Sequence, residues 1–301
     1  MKKGSEQKPR GKEGFIQYYT ELYGERWTAL ESALMEETVH VSLSASDCRP
    51  YFMDPASVVA ALCFPSSKSA RLLDMCAAPG GKTLVTSFVM ENDASLVSNE
   101  RSPERKNRLA KVVAESLPPE IASRVSVRLG DGATMCKRET AKFNAILLDA
   151  PCSSERHVLK DPKYLGEWTP SRIKTLSMEQ WALLSSAWRL LEDGGFMLYA
   201  TCAISRLEND GVLSRLVKKF PGAKILSREE VSQVFGENLD SLKNHGGKIL
   251  PENPGEKEIS MEKIFECAEK TEYGFHILPD SSGGYGPLFF SAIKKIGTVL
   301  K

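Results

Sequence analysis

Two cysteines each close an apolar run of strand type: Cys152 in LLDAPCSS and Cys202 in LYATC. A hydrophobic run that stops abruptly in Asp-Ala-Pro-Cys or Thr-Cys reads as a buried parallel strand. It would deliver its thiol to the carboxyl edge of a sheet, where open α/β sheets bind ligands. Asp149 ends the first run, so two thiols and a carboxylate are expected to gather at that edge. Such a group suits covalent catalysis by a thiolate. A single strand-end cysteine is more often a packing residue; two on neighbouring strands of one ligand-binding sheet reverse that preference. Cys48, Cys63, Cys76, Cys136 and Cys267 are read as packing residues, with Cys76 also lining a loop through its backbone.

That loop is CAAPGGKT, residues 76–83, between a strand and a helix. Its small residues would let the backbone approach a ligand at the helix N-terminus. A phosphate-binding P-loop needs glycine where Cys76 stands, and a dinucleotide GxGxxG is absent. A loop for S-adenosylmethionine remains. In that reading Glu100 ends the second strand about twenty residues on, where a carboxylate would bind the ribose hydroxyls. Asp131 in LGDGAT ends the third strand and would meet the adenine amino group. Either carboxylate alone reads equally well as a helix cap or a turn residue; at the ends of successive strands they strengthen each other. Arg105 alone reads as a surface charge.

A thiolate beside a methyl donor points to one class of acceptor. Cytosine C5 is a poor nucleophile, but adding a thiolate to C6 makes the ring an enamine whose C5 can attack a sulfonium methyl. This needs a nucleophilic cysteine, a carboxyl group at N3 and a means of releasing the product, and Cys202, Asp149 and Cys152 fit those needs. Methylation of an exocyclic amine would call for a prolyl-prolyl-aromatic motif where this chain has Ala-Pro-Cys.

The elements that must position these groups alternate in type. Strands are expected at 70–75, 94–100, 125–130, 143–150 and 196–202. Helices are expected at 81–90, 102–117, 171–191 and about 207–220, the second opening with Ser102 as N-cap and Pro103 at its first position. This rhythm implies a parallel sheet covered by helices on both faces. Runs at 274–279 and 287–295 read as a terminal antiparallel hairpin. Residues 1–12 read as a disordered basic tail, and 13–50 as a helical extension whose aromatic stripe from Phe15 packs on the main domain. Residues 51–301 form that domain, opened by a short helix with Asp54 as N-cap. Within it, 229–272 reads as an irregular acidic insertion.

Composition narrows the classes. The 301 residues, 42% of them hydrophobic, suffice for one large domain with a small appendage. No apolar run is long enough for a membrane span, and no apolar segment follows the basic start as in a signal peptide. Seven cysteines without a CxxC pair, and four histidines, argue against a disulfide framework or a metal site and suggest reduced thiols in the cytoplasm. Residues 228–272 carry six basic and eleven acidic side chains, a balance of −5 within a net +1, which leaves +6 for the rest. A basic body suits a polyanion, and ordinary solvated charge explains the pattern equally well.

At LLDMCAAPGGKT, NERSPER, GDG, LLDAPCSSERH, YATCAIS with LEND, and GGYGPLFFSAIKK, the chain closely resembles the Sun-domain (Nop/Sun) family of RNA (cytosine-5) methyltransferases. The likeness covers roughly residues 50–295. YFMDPASVVAAL and YGPLFF look most like the compact subgroup that includes the mitochondrial rRNA and tRNA enzymes. The resemblance implies a Rossmann-like class I S-adenosylmethionine-dependent methyltransferase fold, with a mostly parallel seven-stranded sheet, and an RNA substrate, rRNA first and tRNA second. It implies that Cys202 is the nucleophile and that Cys152 assists product release. It carries cofactor contacts onto Cys76, Ala77, Ala78, Pro79, Gly80, Gly81, Lys82, Glu100, Arg105, Asp131, Gly132 and Asp149.

Two departures stand out: Ala203 replaces the serine that usually follows the nucleophile, and Glu100 replaces the commoner aspartate. No appended RNA-binding domain is recognisable, so RNA would be held by the basic body, by residues 1–50 or with a partner protein. Of two basic clusters, Arg156, Lys160 and Lys163 are expected to face RNA, while Arg101, Arg105, Lys106, Arg108 and Lys111 read as a solvated helix face. His157 reads as a loop residue touching phosphate or solvent. DNA cytosine methylation is disfavoured because the Glu-Asn-Val that should follow a Pro-Cys nucleophile is missing. An inactive RNA-binding scaffold, or a methyltransferase acting on protein or small molecules, would leave the paired thiols without purpose.

Overall fold

Continuous apolar runs become strands buried on both faces, as parallel strands covered by helices must be. The computed structural model describes residues 10–45, 47–66, 70–140, 142–253 and 259–297. In chain order its strands are β1 (Val41–Ser44), β2 (Tyr51–Met53), β3 (Arg71–Asp74), β4 (Ser95–Glu100), β5 (Val125–Leu129) and β6 (Phe143–Asp149). They continue with β7 (Leu191–Thr201), β8 (Ala223–Ile225), β9 (Lys248–Pro251), β10 (Glu269–Lys270), β11 (Phe275–Ile277) and β12 (Leu288–Lys295). The main sheet runs β10-β11-β12-β7-β6-β3-β4-β5, with β8 on β12. β7, β6, β3, β4 and β5 are parallel; β12 and β11 join antiparallel. The seven strands read from the sequence are all present, with the short β8 and β10 added at the margins.

Register brings the chemistry together. Asp74 pairs with Leu147 and Asp149 with Ala200, so β3, β6 and β7 release their chains at one level of the carboxyl edge. From β3 the sheet grows outward to β4 on one side and β6 on the other, and the crevice between them is a topological switch point.

Helices cover both faces. On one, Pro55–Leu62 and Gly81–Val89 bury Val58, Leu62, Leu84 and Phe88; on the other, Pro170–Leu190 and Asp210–Lys219 bury Leu184, Trp188, Leu213 and Leu216. The caps stand where the sequence places them: Asp54 Oδ1 accepts from Ala56 N at 2.7 Å, and Ser102 Oγ from Arg105 N at 3.4 Å. No helix among the described residues is long and apolar enough to cross a membrane.

Two expectations are corrected. Among its described residues, the segment 229–272 is not irregular. Ser227 and Glu230 form a capping box for the helix Arg228–Asn244, which buries Val231, Phe235, Leu239 and Leu242 at helical spacing. Asn238 Nδ2 donates to the carbonyls of Leu62 and Phe64, 2.8 Å each, and the Phe235 and Phe265 rings stack at 4.7 Å. The acidic side chains on the outer face hid this stripe. The extension 13–50, in turn, is not wholly helical: after Gly11–Tyr23 and Trp27–Met35, β1 pairs with β2 and β9 in a separate three-stranded sheet. Of the tail 1–12, residues 1–9 lie outside the described residues, and Gly11 and Lys12 already belong to the first helix. The aromatic stripe packs as expected: Phe15, Tyr19, Leu30 and Leu34 are buried against Trp168, Val158 and Ile204, behind the cysteine loops.

Candidate active site

One cleft of about 580 Å³ runs along the carboxyl edge, from Gly130 and Asp131 past Glu100 and Cys76 to Asp149, Cys152 and Cys202. Its size falls within the roughly 300–1,000 Å³ usual for small-molecule sites. Arg156, His157, Lys160 and the Gly286–Leu288 turn form the rim beside the thiols.

Cys152 Sγ and Cys202 Sγ lie 3.1 Å apart, both as free, half-buried thiols. Ser154 Oγ stands 3.6 Å from the first sulfur and 3.3 Å from the second. Ser154 reaches that place with φ 54°, a left-handed backbone that L-residues avoid and that concentrates at functional sites. The two thiols are driven apart electrically. Hydrogen bonding from Cys152 and then from Ser154 outweighs burial and lowers the Cys202 pKa. The same bond to Cys202, with burial, holds Cys152 well above the usual thiol range. This asymmetry favours Cys202 over Cys152 as the more readily ionised thiol of the pair.

Asp149 Oδ2 accepts from Lys82 Nζ at 2.7 Å, and the same ammonium donates to Ser57 Oγ at 2.6 Å. Burial works against the Lys82 charge, but Asp149 more than offsets it and the pKa is raised. Beneath them Asp74 Oδ2 accepts from Thr83 Oγ1 at 2.7 Å; burial, resisted by Thr83 and aided by Asp149, pushes this carboxyl up to about 7.

In the other half of the cleft the buried Glu100 meets Arg105 at 3.4 Å and accepts from Ser102 N at 2.9 Å. Arg105 Nη2 donates to the Ala78 carbonyl at 2.6 Å, so this exposed surface charge also braces the 76–83 loop. Asp131 caps the helix Gly132–Met135 through Ala133 N at 3.0 Å and lines the cleft as well. Asn99 Nδ2 ties the Met75 and Gly130 carbonyls together at 2.9 and 3.0 Å, while its buried Oδ1 has no hydrogen-bond partner among the described residues.

The glycines have a packing reason besides the one the sequence suggests. A Cβ on Gly80, whose φ is 126°, would meet Val112 at 2.9 Å, and one on Gly81 would meet Tyr51 and Met53 at 3.0 Å. A Cβ on Gly132 would meet Met75 at 2.7 Å. These positions are small so that the helices can seat on their neighbours. Of residues 76–82, Cys76, Ala78 and Lys82 line the cleft, whereas Ala77, Pro79, Gly80 and Gly81 do not; Gly132 does.

Arg156 and Lys160 face the cleft and Lys163 does not; Arg101 lines it as an exposed side chain paired with Glu179. Arg156 is partly spent on structure, donating to the carbonyls of Ala33 at 3.2 Å and Gly284 at 2.9 Å. Sequence reasoning missed Ser57, Asn99, Ser154, Glu155 and Glu208. SSE and LEND lie inside motifs it singled out, yet nothing in their composition says that those side chains are buried.

A five-stranded parallel core, a cleft at its switch point and acidic residues ending β4 and β5 define a protein of the Rossmann-like methyltransferase class. Residues 61–261 match the family model described as 16S rRNA methyltransferase RsmB/F, and the chain belongs to that family. It is 30% identical over 249 residues to the mitochondrial tRNA (cytosine(34)-C(5))-methyltransferase of Danio rerio, covering 82% of this chain and 60% of that protein. It is 27% identical over 261 residues to the 5-cytosine rRNA methyltransferase NSUN4 of Xenopus laevis, covering 84% and 59%. The chain thus spans about 60% of the length of these relatives. The crystal structure of NSun6 from Pyrococcus horikoshii with SFG superposes with TM-score 0.59 at 20% identity, over 83% of this chain and 54% of that one, and shares the fold.

Proposed function

We propose that this chain is an S-adenosylmethionine-dependent RNA (cytosine-5-)-methyltransferase that forms 5-methylcytosine through a covalent cysteine–C6 adduct, on rRNA first and tRNA second. The observation that carries this is the sulfur pair, 3.1 Å apart, opening into the same cleft as Glu100 and Asp131. The names of the relatives, one acting on tRNA and one on rRNA, support both substrates.

The residues fit the cofactor. Glu100 and Asp131 offer acceptors for ribose hydroxyls and for an exocyclic amine. S-adenosylmethionine, when bound, supplies an electrophilic methyl group on a sulfonium. The protein's part begins with the Cys202 thiolate adding to C6 of an unstacked cytosine, which makes C5 electron-rich. N3, as it gains electron density, takes up a proton from solvent, and Asp149, steered by Lys82, accepts from the resulting N3–H. Once the Cys202 sulfur is bonded to carbon it no longer accepts from Cys152. The largest influence that raised the Cys152 pKa then disappears, so this second thiol can give its proton to solvent and, as a thiolate, take the C5 proton as C6 and sulfur part.

RNA entry is assigned to the rim holding Arg156, His157 and Lys160. A ribosomal or RNA-binding partner protein is the natural supplement where so few cations face the cleft, and seven free thiols suit a reducing, cytoplasmic setting.

Bisulfite sequencing of total RNA from cells with and without this protein tests the reading. Loss of one or a few protected cytosines in small-subunit rRNA or tRNA is expected; an unchanged pattern contradicts it. Asp131→Ala should weaken S-adenosylmethionine binding by about tenfold in calorimetry, equivalent to losing one good hydrogen-bonding acceptor. Unchanged affinity would remove Asp131 from the cofactor site.

A further inference from the structure

The two cysteine loops hold each other. Glu208 follows Cys202 in the chain, but its Oε1 accepts from the backbone N–H of Ser153, beside Cys152, at 2.9 Å. Glu155 follows Cys152, and its Oε2 accepts from the backbone N–H of Ile204, two residues past Cys202, at 3.1 Å. Each loop thus lends a glutamate to the other's backbone. Both side chains are fully buried.

Between them stands one hydroxyl. Ser153 Oγ lies 2.5 Å from Glu208 Oε2 and is also hydrogen-bonded to Glu155 Oε1. A hydroxyl has a single hydrogen, so it can donate to only one of two carboxylates. The other carboxyl must carry a proton and donate to Ser153. The remaining partners are neutral donors: Tyr19 Oη to Glu155, and Gln180 Nε2 to Glu208 Oε1 at 3.0 Å. Two negative charges in so small a buried space would repel strongly. Burial, and then the Glu155 charge, push Glu208 up to about 7, and burial raises Glu155 as well.

We propose that Glu155 and Glu208 are positioning residues, acting as a clasp with one shared proton that sets the separation of Cys152 and Cys202. The proposal rests on the assignment of those thiols to the reaction. The proposed reaction makes no use of either glutamate, yet each ties its own loop to the backbone of the other. When the clasp holds, Cys152 stays within reach of Cys202 and stabilises its thiolate. When it opens, the sulfurs part and Cys202 reverts toward an ordinary buried thiol. The other titratable groups facing the pair are Tyr18, Tyr19, Tyr23 and Tyr199, with Cys152 and Cys202 themselves.

The test compares Glu208→Ala with Glu208→Gln in the full chain. Alkylation of the Cys202 peptide by iodoacetamide is followed against pH by mass spectrometry, without RNA or cofactor. In Glu208→Ala the profile should move to higher pH, slowing alkylation about tenfold at neutral pH for each unit of displacement. The kcat should fall in parallel while KM for RNA changes little. Glu208→Gln keeps a neutral group that can accept from Ser153 N–H and donate to Ser153 Oγ, and it should restore most of both losses. If Glu208→Ala does not fold, Ser153→Ala carries the same expectation, because it removes the bridging hydroxyl. An unmoved alkylation profile in the folded variant overturns the clasp, as does a carboxamide that rescues nothing. A shifted profile in a protein that methylates no RNA would instead leave the clasp standing and sink the assigned reaction.

Discussion

Cys202→Ala is expected to lose methyl transfer entirely, by about four orders of magnitude or to below detection, with S-adenosylmethionine affinity within about twofold of the native protein. The size of the effect follows from the chemistry. Without addition at C6, C5 of cytosine has no electron pair to offer, and no neighbouring group replaces the sulfur. Affinity for the cofactor should survive because its proposed carboxylates stand at the ends of β4 and β5, three and four strands along the sheet from β7. Radiolabel transfer to RNA and calorimetry measure the two halves of the expectation. Turnover near the native rate would remove Cys202 as nucleophile.

Cys152→Ala should fail differently. Addition at C6 needs only Cys202, while release needs a base beside the adduct. The variant should therefore accumulate protein covalently joined to RNA, seen as a slowly migrating band on a denaturing gel, with kcat lowered by about two to three orders of magnitude. It also removes the hydrogen bond that lowers the Cys202 pKa, so adduct formation should itself shift to higher pH. The sign is fixed: a thiol that loses a donor to its thiolate becomes harder to ionise. Full turnover without adduct would make Cys152 a packing residue.

What the sequence disclosed and what it concealed differ in kind. Asp149, Cys152 and Cys202 were legible because long apolar runs must become buried strands, and the first polar residue after each must surface at the edge. The parallel order was legible from the alternation of strand and helix. Glu155 and Glu208 were not, since an isolated glutamate in a loop is ordinarily solvated. Their burial follows from two loops meeting across 49 and 55 residues of chain, a tertiary event without a local signature. The helix Arg228–Asn244 was lost for the opposite reason: its stripe is local, but the acidic residues on its outer face dominated the composition. At Gly80 and Gly81 the neighbours Val112, Tyr51 and Met53 add a packing reason for small size, which a loop's sequence cannot distinguish from room for a ligand. Arg105 likewise looked like a free charge until the Ala78 carbonyl was seen within 2.6 Å.

The most direct test of this chemistry uses RNA carrying 5-fluorocytosine, which has no C5 hydrogen to surrender, so release is blocked after methyl transfer. Incubated with S-adenosylmethionine and then digested, the protein should yield a nucleotide bonded to the peptide that contains residue 202. Attachment at residue 152 instead, or methylation of ordinary cytosine with no trapped sulfur on the fluorinated substrate, would contradict the mechanism.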